Sequence, residues 1–234
     1  RENGLMNYNE LFSQIQAYTE NQFPAMILAN GSSVSYTTQI NTFIQQAEER
    51  IYNTVQIPSL RKNVTGNCTV SNKYLACPND YLSTYSLAII NTDGTYEYLL
   101  NKDVNFIRQA YPDPTSTGLP RYYALFGSRL NDPNELTFIL GPTPNASYGA
   151  ELHYFYYPAS IVTAGTSWLG DNYSPALLYG SLVEAYQYMK GEPDMMAMYN
   201  AKYQEAMQQL NRLGTGLERG DAYRDGQAKI KVNP

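Results

Sequence analysis

The sequence predicts an α+β protein, with helices at both ends and an antiparallel β-sheet or small sandwich between them. Three observations lead there. Over the first 60 residues, apolar side chains recur at threes and fours, the spacing of one helix face. From 61 to 162, short runs rich in aromatic and β-branched residues are broken by turn signals at intervals of roughly ten residues. From Ser174 onward the helical spacing returns.

Asn9-Glu10-Leu11 opens the first helix, with Leu11, Ile15 and Tyr18 on one face. A loop follows around Phe23-Pro24 and Asn30-Gly31. Ile40, Phe43, Ile44, Ala47 and Ile51 then form a second stripe, with Ser35 or Thr37 as its N-cap and Pro58 marking its end. In the β-region, residues 70–75 read as a hairpin turning at Asn72-Lys73. That register sets Cys68 opposite Cys77 in a non-hydrogen-bonded pair, where Cα atoms lie ~4.5 Å apart. A disulfide can close there. Two reduced thiols side by side are the other reading, favoured in a reducing compartment. Further strands are predicted at 87–90, 96–99, 122–126, 136–140 and 151–157, with a turn at 91–94 and one short helix at 104–108. Three prolines and a glycine make 111–120 an exposed irregular loop.

The last third reads as an αα-hairpin. Ser174 is the expected N-cap, with Pro175 at the first helical position. Leu178, Leu182, Ala185 and Met189 form the seam, and Lys190-Gly191 stops the helix. Pro193 starts its partner, with Asp194 near the positive end and Met196, Tyr199, Tyr203, Ala206, Leu210 and Leu213 facing back. The short link makes the two helices antiparallel. Met195, Met196, Met198 and Met207 are read as gap-filling core. Gly214, Gly216 and Gly220 are read as ending the helix. From Ala222 the tail is polar and basic, with Arg224, Lys229 and Lys231 against Asp225.

Composition narrows the function. The 234 residues are 43% hydrophobic and 13% aromatic, so the chain is not disordered. A formal net charge of −5 lacks the basic footprint of a nucleic-acid binder. Arg1-Glu2-Asn3-Gly4 is followed by no apolar stretch of the signal-peptide kind. One histidine, His153, and two cysteines cannot assemble a four-ligand zinc site within one chain. His153 lies in a predicted strand and reads as a polar residue on its face. No phosphate-cradling glycine motif occurs. The stretch 165–170 is one residue off the spacing of a nucleophile elbow. No catalytic, cofactor or metal site is therefore assigned. Charged residues make up only 16%, and 23 tyrosines fill much of the polar surface.

A run of segments in order gives a more specific lead. LRKNVTG (60–66), YEYLLNKDVNFIRQAYP (96–112), GLPRYYALFG (118–127), FILGPTP (138–144), ELHYFYYP (151–158), WLGDN (168–172) and LLYGSLVEAYQYMKGEPDMMAMYNAKYQEA (177–206) resemble phage head-to-tail adaptor proteins. These are also called head–tail connectors, and the likeness is to the tail tubular protein A kind of short-tailed phages. The sequence departs from that pattern at Cys68 and Cys77 and in the loop 127–134. The resemblance implies a helical bundle (1–60 and 163–216), an inserted β-domain (61–162) and an extended C-terminal tail (217–234). It also implies a virion protein assembled in the host cytoplasm as a homo-oligomeric ring, usually of twelve copies, beneath the portal. Such a ring extends the channel through which the genome is packaged and ejected, and docks the nozzle and often tail fibres below.

In that setting Arg219, Tyr223, Arg224, Lys229 and Lys231 are the expected portal contacts. Tyr111, Pro112, Pro114, Pro120 and Arg121 are the expected contacts to a neighbouring subunit or the nozzle. Acidic residues facing a lumen would repel duplex DNA and let it slide without sequence-specific binding. The alternative reading is a tyrosine-rich carbohydrate-binding or host-recognition module, which requires the tyrosines to cluster on one β-face.

Overall fold

The computed structural model describes residues 6–113, 115–127 and 136–217. Along the chain come α1 (Tyr8–Thr19), β1 (Met26–Ile27), β2 (Ser33–Val34) and α2 (Tyr36–Thr54). A 3-10 turn (Pro58–Leu60) leads to β3 (Arg61–Asn67), β4 (Tyr74–Ala76), β5 (Tyr81–Ile90), β6 (Tyr96–Tyr98) and β7 (Leu100–Asn101). Then follow α3 (Val104–Ala110), β8 (Thr117–Gly118), β9 (Tyr122–Phe126), β10 (Thr137–Gly141), β11 (Thr143–Pro144) and β12 (Gly149–Tyr156). The chain closes with α4 (Ile161–Ala164), α5 (Trp168–Asn172), α6 (Ser174–Met189) and α7 (Pro193–Leu217). The fold is α+β. Residues up to Pro58 and from Ala159 form one compact unit, and Ser59–Pro158 forms a second.

In the helical unit α1 starts with a capping box. Asn7 Oδ1 accepts from the Glu10 N–H, and Glu10 Oε2 accepts from the Asn7 N–H, each at 3.0 Å. Ser35 caps α2, accepting from the Thr38 N–H. The whole α2 stripe, Ile40 to Ile51, is buried, as are Leu11 and Ile15. Tyr18, expected on the same face, is 45% exposed at the helix end. The predicted loop after α1 contains a small ribbon, β1 against β2.

Helix α6 packs against α1, α2 and α7, which explains its nearly all-round burial. Gly180 permits a close approach to α2 and α7. A Cβ there would lie 3.2 Å from both Ala47 and the Tyr203 ring. Arg50 pairs with Glu184 and stands 5.6 Å from the centre of the Tyr203 ring, tying α2, α6 and α7 together.

Several expectations here need correction. The N-cap of α6 is Tyr173, not Ser174. Tyr173 also ends α5, and its hydroxyl donates to Gln209 Oε1 at 2.6 Å. The stop at Lys190-Gly191 is where it was expected, with Lys190 taking the left-handed turn at φ 53°. Gly191 is needed because a Cβ would come within 2.6 Å of the Tyr186 ring. Helix α7 runs through Gly214 and Gly216 to Leu217. Gly214 is a packing residue: it is buried, and a Cβ would press the Gln56 carbonyl at 3.2 Å. Of the four methionines, only Met207 is buried, and Met198 is 44% exposed. Leu213 is 38% exposed, so the seam of α7 is Tyr199, Tyr203, Ala206, Met207 and Leu210.

The second unit is a small sandwich. One sheet has the order β3-β12-β5-β6 and the other β4-β10-β9-β7. Leu87, Ile89, Leu152 and Tyr154 from the first meet Tyr123, Phe138 and Leu140 from the second in one core. The Tyr81 and Tyr123 rings meet Phe138 edge-on at 5.7 and 5.5 Å. All five residues of β10 are buried. Its other face carries Ile139, which packs with Ala124 and with Ile107 of α3. Burial on both faces explains why this strand reads as a continuous apolar run.

The cysteine hairpin does not form. β3 pairs with β12, whereas β4 pairs with β10 in the other sheet. The 68–73 segment is a crossover between sheets. Ser71 sits at φ 60°, and the Asn72 N–H donates to the Thr69 carbonyl. Both cysteines are free thiols in the sandwich core. Burial pushes the Cys68 thiol up to about 11.

Candidate contact surface

The predicted contact loop is built on α3 and the strand ends beside it. Asp103 caps α3 through the Asn105 N–H, and Tyr111 ends it, half-buried against the Ile107–Ile139 cluster. Pro112 is exposed. Asp113 then organises a tight turn, accepting from the Thr115 hydroxyl at 2.7 Å and its N–H at 2.8 Å. The hydroxyl and then the N–H hold the Asp113 carboxyl below its usual range. The second half of the loop is not irregular. β8 pairs in parallel with β11, and Pro120 is buried. Gly118 lies so close to Pro142 that a Cβ would be 3.1 Å from it. Backbone pairing at 117–118 therefore pins down a segment whose prolines suggested exposure.

Of the predicted loop contacts, Tyr111, Pro112 and Arg121 are accessible and Pro120 is not. Arg121 is exposed, with its Nε 3.6 Å from Glu97 Oε1. Pro114 lies outside the described residues, as do Arg219, Tyr223, Arg224, Lys229 and Lys231. Beside Tyr111 a groove of about 130 Å³ is lined by Lys73, Arg108, Pro112, Ile139 and Thr143 among others.

The outward face of the β12 sheet carries a second group that the sequence did not single out. The Arg61 guanidinium stands 4.1 Å from the Tyr85 ring centre and 4.7 Å from that of Phe155. Farther along, His153 Nε2 and Glu151 Oε1 are 2.6 Å apart, and the Tyr96 hydroxyl donates to Glu151 Oε2 at 3.2 Å. The His153 contact leads in holding the Glu151 carboxyl below its ordinary value. His153 is thus a polar residue on a strand face, paired with the acid two positions before it. At the other end of this sheet, Asp80 accepts from Lys62 at 2.7 Å and from Tyr154 at 2.8 Å. Burial works to raise Asp80, but those two bonds outweigh it and keep the acid ionised. Each grouping joins residues far apart in sequence, so only strand register could reveal it.

The buried acid Glu48 has a structural task. Its Oε1 accepts from the Ile161 N–H at 2.9 Å, holding the start of α4. Burial raises its carboxyl, against the opposing bonds from Ile161 and Ser160. Ser167, in the stretch that superficially matched a nucleophile elbow, caps α5 by accepting from the Gly170 N–H. Among the described residues no group of three or more His, Cys, Asp or Glu is placed to hold a metal ion. No helix among them is long and apolar enough to cross a membrane.

Exposed tyrosines occur on both units: Tyr18, Tyr36 and Tyr188 on the helical one, and Tyr74, Tyr85, Tyr96, Tyr98 and Tyr157 on the sandwich. They do not gather on a single β-face as a sugar platform would require. Large rings with polar tips, on both units, suit surfaces that are wet in a free subunit and covered in an assembly. Such a chain has the surface of a structural subunit. The family model described as SU10 adaptor protein matches residues 6–228, and the chain belongs to that family. It is a phage structural adaptor, a virion component of the head–tail region associated with portal and tail components. The family is one of adaptors, not of enzymes. The match does not extend to tail tubular protein A in particular. No curated protein matches the chain.

Proposed function

We propose that this adaptor forms a homo-oligomeric ring, of twelve copies, beneath the portal, where it extends the DNA channel and docks the nozzle and fibres below. The observation that carries the reading is the family match over residues 6–228, which includes both units. Charge distribution supports a channel role. Residues 6–58 and 159–217 hold 4 Lys and Arg against 9 Asp and Glu. With this unit at the lumen, a ring repels duplex DNA and lets it slide. In this reading residues 217–234 reach the portal through Arg219, Tyr223, Arg224, Lys229 and Lys231. The loop at Tyr111, Pro112, Pro114 and Arg121 faces a neighbouring copy or the nozzle.

Native mass measurement and negative-stain imaging, with and without purified portal, test the proposal. The expected result is a closed ring that docks onto the portal. A monomer that ignores the portal overturns it, and a ring whose lumen is lined by cations overturns the channel argument.

A further inference from the structure

The sandwich leaves one side open. β3 ends one four-stranded sheet and β4 ends the other, and among the described residues neither has a strand partner on its outer side. Six of the seven β3 residues are exposed. An unpaired edge presents a row of backbone N–H and C=O groups to any extended segment. Beside these edges lies an apolar slot of about 260 Å³. It is lined by Val64 of β3, Leu75 of β4, Leu87 of β5, Phe138 of β10 and Leu152 of β12, among others. Val64 is 40% exposed although it shares this slot with core residues. A free edge next to an apolar slot offers what an added strand needs: backbone hydrogen bonds along its length and a dry place for alternate side chains.

The chain contains a segment of matching pattern. Ala228-Lys229-Ile230-Lys231-Val232 alternates apolar and cationic residues at every position. That is the period of a strand with one dry face and one wet face. The segment lies beyond Leu217, outside the described residues. Leu217 and Ala228 are eleven positions apart, a tether that spans up to roughly 36 Å when extended.

We propose that residues 228–232 of a neighbouring copy add as a strand to the β3 edge, with Ile230 filling the slot. The inference rests on the ring reading, because it needs neighbouring copies. Lys229 and Lys231 then project from the opposite face and remain open to the portal. Each copy gives one strand and receives one. Such a head-to-tail contact is of the kind that closes in a ring.

Mixed full-length chains test it, one population carrying Val64→Cys and the other Ile230→Cys, under mild oxidation. Because Cys77 also lines the slot, both populations carry Cys68→Ala and Cys77→Ala, so that the introduced thiols are the only ones present. The expected result is an interchain disulfide at least about fivefold above a Lys229→Cys control, whose side chain alternates to the other face. In parallel, amide exchange across Arg61–Asn67 should be slowed in the full chain and sped up about tenfold by Ile230→Asp. Crosslinking equal to the control, or only within one chain in a double variant, overturns the proposal. So does unchanged exchange in Ile230→Asp. Native mass on the same samples separates the two readings. An oligomer without the crosslink overturns the strand docking alone, and monomers without it at every concentration overturn both.

Discussion

Leu182 of α6 is fully buried where this helix meets α1, α2 and α7. Its replacement by alanine removes three buried carbons from a site with little room to collapse, because Gly180 already holds α2 and α7 at contact distance. Leu→Ala at such sites costs about 3–4 kcal/mol. For a chain of this size each kcal/mol lowers the melting temperature by roughly 2–4 °C, so the expected fall is roughly 6–16 °C. Leu213→Ala on α7 is the internal control. Leu213 recurs at the same helical spacing but is 38% exposed, and its truncation should cost about 1 kcal/mol or less. Thermal melts followed by far-ultraviolet circular dichroism report both. Leu182→Asp should abolish the helical transition, because the charge has no partner in the seam. Equal shifts for the two alanine variants, or an unchanged melt for Leu182→Asp, would refute the packing argument.

Deleting residues 220–234 should leave the monomer's helix content and melting temperature nearly unchanged while abolishing portal docking in a pull-down; docking that survives rejects the tail contact. Glu48 makes a pH-dependent contribution with a sign opposite to that of most paired acids. Its folded carboxyl is raised above the unfolded value near 4.5 by burial, so its contribution is fully present below that value. It is lost as pH rises through the folded value. Glu48→Gln should therefore gain stability relative to the parent as pH rises from 4 to 8. A difference in melting temperature that stays constant over that window contradicts it. Cys68 and Cys77 should resist alkylation in the native protein and both react after denaturation without reductant, read by intact mass. Alkylation that requires reductant would restore the disulfide.

Local patterning made most elements legible. The α2 stripe, the Ser35 cap, the strand at 122–126 and the αα-hairpin depend on interactions within a few residues, and these the periodicity exposes directly. The misreadings share a cause. The cysteine hairpin was the best local pairing available to 67–77, yet β4 pairs with β10 and β3 with β12, partners more than 60 positions away in two different sheets. Gly214 and Gly216 look like helix stops, but α7 continues because Gly214 gives Gln56 room to pack closely. Pro120 looks exposed, but β8 draws its segment onto β11.

Sequence alone determined the class of fold, the order of its elements, the low charge and the tyrosine-rich surface, and the head-to-tail adaptor resemblance on which the functional reading began. Those follow from composition, spacing and the order of segments, which need no coordinates. Only the tertiary structure decided which sheet each strand joins, that the cysteines are buried apart from any hairpin, and that Arg61, Tyr85 and Phe155 stack together. It alone showed that the β3 and β4 edges flank an apolar slot. These depend on contacts between residues tens of positions apart, and their energies come from surface buried jointly by several elements rather than from the preferences of any one.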